Sequence, residues 1–231
     1  MSRPADKIEG GRVEDKLAAG FVLAGGQSSR MGSDKALVEL GGEPLVARSL
    51  NILRQAGLSA TIAGARSELS RFAPVIDDAG GGPPNGPLSG VCAALESMQA
   101  EYAVFLSVDM PLLPSSLISY LLHRAQITGA VAVVASVNGF AQTFPAVVRK
   151  DALSAVRAEL SSGKGGCLHA FRAAADQLGL PFATLAVENL VQAGQLQHPA
   201  GLPAAFWFLN VNTPGDLERA ETWLSLTHRV S

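Results

Sequence analysis

Short apolar runs alternate along the chain with stretches whose apolar residues recur at helical spacing, and Gly, Pro and Asp stand at most of the joints. The first run, Phe21-Val22-Leu23-Ala24, reads as a strand that breaks at Gly25-Gly26. Ala36 to Leu40 is again apolar and ends at a Gly41-Gly42 turn. Pro44 then takes a favoured first helical position, and Leu45, Val46, Leu50, Ile52 and Leu53 form one helical face before Gly57. Leu58 to Ala63 is a second strand, Arg66 to Arg71 a short helix, and Pro74-Val75-Ile76 a third strand that runs directly into Asp77-Asp78. Ala79 to Gly86 is a Gly/Pro-rich loop, after which Pro87-Leu88-Ser89-Gly90 opens a helix carrying Val91, Ala94, Leu95 and Met98.

Tyr102 to Val108 is the most strand-like segment, and its near-continuous apolarity predicts a central strand covered on both faces. It ends at Asp109-Met110-Pro111, and Pro114-Ser115-Ser116 starts a helix with Leu117, Ile118, Leu121 and Leu122 on one stripe. Further on, Ala130 to Val137 and Phe144 to Val148 read as strands, Asp151 to Leu160 and Gly165 to Leu178 as helices, and Phe182 to Val187 as another strand. Glu188 to Ala205 turns to Gln, Gly, His and Pro and reads as a loop insertion; Phe206 to Val211 reads as a strand and Pro214 to Leu226 as a closing helix. The alternation predicts an α/β fold, a doubly wound, mostly parallel sheet with helices on both faces.

With 231 residues, 48% of them hydrophobic and 16% charged, the chain can bury a full core. The expectation is one domain over residues 20–228 behind a disordered leader, residues 1–19. Met1 to Lys16 alternate charge with small polar residues and lack the apolar segment of a signal peptide. A net charge of -2 gives no footprint for nucleic acid or an anionic membrane, so any phosphate must be met by a local cluster. The uncharged stretch Ala125 to Val148 contains Gln126, Asn138, Gly139, Gln142 and Pro145 and suits two buried strands and a turn better than a membrane span. Cys92 and Cys167 stand in no metal or disulfide spacing, which points to core residues in a reducing cytoplasm. His123, His169, His198 and His228 form no metal spacing either, and Trp207 and Trp223 read as packing.

Candidate chemistry begins after the first strand. Paired glycines let backbone N–H groups approach an oxyanion closely, and Arg30 and Lys35 add a planar fork and a point charge. The spacing is that of neither a P-loop nor a dinucleotide fingerprint; a dinucleotide-dependent oxidoreductase thus lacks its motif, and failure to bind NAD(P) would close that class. Asp109, at the end of the central strand, suits Mg²⁺, a hard cation usually held by one or two carboxylates plus substrate phosphates; it equally suits capping the helix after Pro111 and Pro114. Asn210 and Asn212 would alternate along their strand to one face, and Thr213 can cap the helix that Pro214 opens.

The stretch Leu23-Ala24-Gly25-Gly26-Gln27-Ser28-Ser29-Arg30-Met31-Gly32-Ser33-Asp34-Lys35-Ala36-Leu37 closely resembles the signature LAGGxSxRMGxDKAL of the molybdenum cofactor guanylyltransferase family, within the NTP-transferase superfamily. Ser107-Val108-Asp109-Met110-Pro111 looks like that family's metal-binding Asp-x-Pro, and Gly86-Pro87-Leu88-Ser89-Gly90 its Gly-Pro-Leu-x-Gly. Asn210-Val211-Asn212-Thr213-Pro214-Gly215-Asp216-Leu217 matches its Asn-x-Asn-Thr-Pro-x-Asp/Glu-Leu. The resemblance implies the Rossmann-like, nucleotide-diphospho-sugar transferase-like form of the fold. It also implies transfer of GMP from GTP to the phosphate of molybdopterin, with Mg²⁺ on Asp109 and pyrophosphate leaving.

By the same resemblance Arg30, Lys35 and Asp109 are catalytic, and Leu23, Ala24, Gly25, Gly26, Lys35, Asp78, Gly86, Pro87, Leu88 and Asp109 bind the nucleotide; Asn210 and Asn212 are acceptor-side or auxiliary residues whose neutral oxygens can complete a metal or phosphate shell. Partners are GTP, molybdopterin and, transiently, a cofactor-delivery or apo-molybdoenzyme protein. Two positions depart from the pattern: Ala63 stands where relatives can carry a nucleotide-contacting asparagine, and Lys164 is the one basic residue in the turn Gly163 to Gly166. A cytidylyl or sugar-phosphate nucleotidyltransferase, and a nucleotide-binding regulatory protein without turnover, are the alternatives.

Overall fold

The central apolar runs become strands that are buried along nearly their whole length, as Tyr102–Ser107 and Ala132–Val137 are. In chain order the strands are β1 (Ala18–Leu23), β2 (Glu39–Leu40), β3 (Glu43–Pro44), β4 (Ala60–Ala63), β5 (Val75–Ile76), β6 (Tyr102–Ser107), β7 (Ala132–Val137), β8 (Phe140–Arg149) and β9 (Phe182–Ala186). The helices are α1 (Leu45–Gln55), α2 (Pro87–Ser97), α3 (Ser115–Thr128), α4 (Leu153–Ser162), α5 (Cys167–Leu178), α6 (Val187–Gln192), α7 (Ala204–Trp207) and α8 (Pro214–Thr227). The computed structural model describes residues 17–24, 34–64, 67–78, 86–163 and 165–227. The sequence expectations for Met1 to Lys16, Gly25, Gly26, Arg30 and Lys164 concern residues outside that set.

The described residues form a seven-stranded sheet in the order β5-β4-β1-β6-β8-β7-β9, with β2 and β3 as a separate ribbon. Every neighbouring pair in the large sheet is parallel except those made by β8, which runs antiparallel to β6 and β7. The exception has a local cause. Asn138 and Gly139, the only two residues between β7 and β8, lie at φ of 52° and 78°, the geometry of a tight two-residue hairpin. The mostly parallel sheet expected from the sequence is therefore present, and β8 starts earlier, at Phe140 rather than Phe144.

The core follows the sheet. Phe21 and Phe105 are register partners on β1 and β6, and their rings stack at 5.6 Å. Gly20 marks a close backbone approach within the sheet: a Cβ built there would lie 2.7 Å from the Ser59 carbonyl oxygen and 3.0 Å from both Leu53 methyls. The backbone has no room to retreat, because the Gly20 N–H already donates to that same carbonyl at 2.9 Å. Gly20→Ala should therefore lower stability by about 1–3 kcal/mol, read from the urea unfolding midpoint. An unchanged midpoint would show that α1 can shift.

Three sequence expectations need correction. Ala18 and Ala19, placed in the leader, are part of β1, and Ala18 is buried. Phe206 to Val211 is not a strand. Pro203 starts the single turn α7, the Trp207 side chain is fully buried with its indole Nε1 donating to the Leu202 carbonyl at 2.7 Å, and the Phe206 ring packs on Trp223 at 4.0 Å. These bulky residues pack inward on a helical turn and leave no ladder partner for an extended segment. Residues 188–205 are not simply a loop either: they contain most of α6 and then run along α3, where Tyr120 Oη donates to Gln195 Oε1 at 2.8 Å and Ser116 Oγ to the Gln197 carbonyl at 3.3 Å. Polar composition suggested solvent; instead these groups bond to the body of the protein. Among the described residues no helix is long and apolar enough to cross a membrane.

Candidate active site

Parallel α/β sheets place ligands outside the carboxyl ends of their strands. Here four such ends are aligned, since Ile76 is the register partner of Ala63, Ala63 of Leu23, and Leu23 of Ser107. Asp78 and Asp109 each lie two residues beyond the ends of this row, on β5 and β6. Three strand spacings separate them, about 14 Å. A ligand lying across the edge would therefore meet the two carboxylates at different parts.

Lys35 is aimed by its neighbour. Asp34 Oδ1 accepts the Ala36 N–H at 3.0 Å and so caps one 3-10 turn over Lys35–Leu37, while buried Ala36 pins that turn to the core. The Lys35 Nζ then donates to Asp109 Oδ2 at 3.0 Å and to Asn212 Oδ1. One ammonium joins the end of β6 to the segment before α8. The Asp109 side chain is 20% exposed and Lys35 14% exposed, so the pair is largely withdrawn from water.

Asp109 Oδ1 is buried with no hydrogen-bond partner among the described residues. The capping role left open by the sequence is not the one it plays: α3 has Pro114 as its N-cap residue and no side-chain cap bond. A buried carboxylate oxygen without a partner, beside an amide oxygen, is a hard-oxygen donor set. Among the described residues there is no group of three His, Cys, Asp or Glu that would enclose a metal alone. The set fits a divalent cation completed by substrate phosphates.

Asn212 is held by Asp216 across the start of α8. Asp216 Oδ2 accepts the Asn212 N–H at 3.1 Å, the Thr213 N–H at 2.9 Å and the Thr213 hydroxyl at 2.8 Å, and the Asp216 N–H donates back to Thr213 Oγ1 at 3.3 Å. This is a reciprocal capping box, with Pro214 at the first helical position. Thr213 caps as expected. Asn210, half-buried in irregular chain, does not share a strand face with Asn212, and the Lys35 ammonium reaches Asn212 rather than Asn210.

The Thr213 hydroxyl first, then Arg219, hold the Asp216 carboxyl down at about 2 from its ordinary 3.8. Because the folded value is the lower one, this contribution to stability is complete above 3.8 and is lost as pH falls through about 2. Asp216→Ala should cost about 1 kcal/mol at pH 7, the usual worth of a cap, and the gap between variant and wild type should close in acid. Urea unfolding at a series of pH values checks it; a gap that does not depend on pH would contradict this account.

On the other flank, Leu23 and Ala24 are buried in the sheet edge. The Leu23 carbonyl accepts the Val108 N–H at 3.3 Å, and the Ala24 N–H donates to the Ala63 carbonyl at 3.1 Å. Gly86, at φ +69°, turns the chain into α2, and Pro87 occupies its first position. A Cβ built on Gly90 would lie 3.1 Å from Leu23 Cδ2, 3.5 Å from Asp78 Oδ1 and 3.6 Å from Ala63 Cβ. The missing side chain is what lets the first turn of α2 come down onto the strand ends beside Asp78. Ala63 is buried at this floor and offers only a methyl. The two cysteines are buried away from any such chemistry: desolvation pushes the Cys92 thiol up to about 11 and Cys167 to about 12, far from a reactive thiolate at neutral pH.

The sequence model for the MobA-like NTP transferase domain matches residues 20–178, the span that contains Lys35, Asp78 and Asp109. The chain belongs to this family. A probable molybdenum cofactor guanylyltransferase from Haloferax mediterranei is 34% identical over 210 residues, covering 88% of this chain and 92% of the relative. A molybdenum cofactor guanylyltransferase from Rhizobium johnstonii is 31% identical over 214 residues, covering 89% and 92%. Among solved structures, molybdopterin-guanine dinucleotide biosynthesis protein A from Archaeoglobus fulgidus superposes with a TM-score of 0.72 at 23% identity, over 90% of this chain and 99% of that one. A 2-C-methyl-D-erythritol 4-phosphate cytidylyltransferase from Thermus thermophilus gives 0.61 at 17% identity, over 89% and 98%. These two likenesses establish the fold, the Rossmann-like fold of the nucleotide-diphospho-sugar transferases. The chain is thus a MobA-like nucleotidyltransferase. Asn212 lies past the matched span, and its bond with Lys35 ties it to a residue within that span.

Proposed function

We propose that this nucleotidyltransferase moves GMP from GTP to the phosphate of molybdopterin. An oxygen of the acceptor phosphate forms a bond to the α-phosphorus, the bond from that phosphorus to the β-phosphate oxygen breaks, and pyrophosphate leaves. The observation that carries the reading is the Lys35 ammonium shared between Asp109 and Asn212, set outside the carboxyl ends of the parallel strands, where open α/β sheets bind their ligands. An ammonium has three N–H donors, and two are engaged among the described residues; the third is available to a phosphate oxygen. Lys35 stabilises the charge that gathers on the departing pyrophosphate, and Asn212 keeps the ammonium in place. Asp109 holds Mg²⁺, which when bound neutralises phosphate charge. Asp78, about 14 Å away by strand spacing, meets the nucleoside end beside the opening of α2. Arg30 and the Gly25-Gly26 turn complete the phosphate side, and Asn210 serves the acceptor.

The relatives named as guanylyltransferases favour guanine and this acceptor. We place the reaction in the reducing cytoplasm, away from membrane and nucleic acid, with the product passed on to a cofactor-delivery or apo-molybdoenzyme protein. Thermal unfolding with GTP, CTP, ATP and UTP, each with and without Mg²⁺, tests the nucleotide assignment. GTP with Mg²⁺ at a hundredfold its Kd should stabilise by about 2.7 kcal/mol, roughly 5–10 °C for a domain of this size. A larger shift with CTP would reassign the base, and no shift with any nucleotide would refute the function.

A further inference from the structure

The segment that delivers Asn212 is fastened at its other end by a buried histidine. His198 is 8% exposed. Its Nδ1 accepts the Ala200 N–H at 3.0 Å, so the ring proton is on Nε2, which lies 3.1 Å from the Leu112 carbonyl and donates to it. Leu112 is three residues past Asp109 in the same turn. Further along, the Val211 N–H donates to the Asp109 carbonyl at 2.9 Å, and Asn212 accepts from Lys35. Residues 198–212 are thus joined to the turn after β6 at both ends, by His198 on Leu112 and by Val211 on Asp109. A cleft of about 180 Å³ opens beside this turn, lined by Arg48, Pro111, Leu112, Ser115, His198 and Pro199.

We propose that His198 is a positioning residue for nucleotidyl transfer: by holding the Leu112 carbonyl it sets the turn that presents Asp109 and anchors the segment that presents Asn212. The inference rests on the reading of Asp109 and Asn212 given under the proposed function. The two partners of the imidazole are backbone groups of fixed polarity, one a donor and one an acceptor, and only the neutral Nε2–H form satisfies both. Burial holds the His198 pKa below the usual histidine value, with the Leu112 carbonyl pulling the other way. The charged groups lining the same cleft are Glu43 and Arg48, which pair with each other at 3.5 Å.

Two substitutions separate the bond from mere space filling. A glutamine amide reaches the position of Nε2 and can donate to Leu112; an asparagine amide stops at the position of Nδ1 and keeps only the Ala200 bond. The readout is Mn²⁺ affinity of the full chain in the presence of GTP, measured by electron paramagnetic resonance, with turnover as a second readout. His198→Asn should weaken Mn²⁺ binding about 10-fold, the lower end of what outer-shell groups contribute, and His198→Gln should stay within about threefold of wild type. Equal affinities for wild type and His198→Asn, or an equal loss in both variants, would overturn the proposal. A wild-type protein that binds no Mn²⁺ with GTP would instead refute the functional reading beneath it, and the proposal with it.

Should His198→Asn not fold, the pH dependence of wild type against His198→Gln decides. Protonation puts an N–H on Nδ1 against the Ala200 N–H, so wild-type affinity should drop further in acid than that of the glutamine variant. Coincident curves would overturn the proposal.

Discussion

Lys35→Ala is expected to cut the turnover number about 100- to 1000-fold, the loss found when one oriented donor is removed from a developing oxyanion. The fold should survive, because the 3-10 turn that carries Lys35 is held by the Asp34 cap and by buried Ala36, and neither depends on the ammonium. What disappears is the charge joining Asp109 to Asn212. Lys35→Arg should not restore the rate, since a planar fork cannot occupy the place of a point charge that donates to two oxygens and a phosphate at once. Steady-state pyrophosphate release reads both variants, with thermal unfolding as the control for folding. Unchanged turnover in Lys35→Ala would remove Lys35 from the chemistry.

Asp109→Asn should be at least as severe. It keeps the shape of the side chain and the backbone carbonyl that accepts the Val211 N–H, so unfolding without nucleotide should move by only a few degrees. It removes the carboxylate at the end of β6, whose buried Oδ1 has no hydrogen-bond partner among the described residues, and leaves the Lys35 ammonium facing a neutral amide. Loss of a cation that neutralises phosphate charge is worth several kcal/mol in the transition state, which is about a 1000-fold lower turnover. The Mg²⁺-dependent part of the thermal shift with GTP should vanish with it. A variant that retains that dependence would place the cation elsewhere.

The parallel half of the sheet was legible because its strands are continuous apolar runs ending in glycine or aspartate. Asp78 and Asp109 could be read as strand-end carboxylates for the same reason. The antiparallel entry of β8 was harder to see, since Phe140 to Thr143 lie exposed or half-buried and lack the apolar continuity of Phe144 to Val148. Phe206 to Val211 misled in the opposite sense: aromatic and β-branched residues suggest a strand, but Trp207 is buried from a helical turn that Pro203 begins.

In the candidate site, Lys35, Asp109 and Asn212 each stand out in the sequence through their motifs. Their mutual contact does not, because Lys35 and Asn212 are 177 positions apart and nothing local encodes the pairing. The supporting residues were visible only as types. Asp34 is an ordinary cap residue in sequence, Asp216 an ordinary first-turn acid, and His198 a lone histidine in a polar stretch; each acquires its role from a backbone group that the fold brings to it.

The most direct measurement of the central claim is to incubate the purified chain with molybdopterin, Mg²⁺ and GTP labelled at the α-phosphate. The account predicts that label enters the molybdopterin product with one pyrophosphate released per transfer, and that neither occurs without molybdopterin. Label that stays in GTP or appears only as free GMP, with pyrophosphate formed whether or not molybdopterin is present, would contradict it.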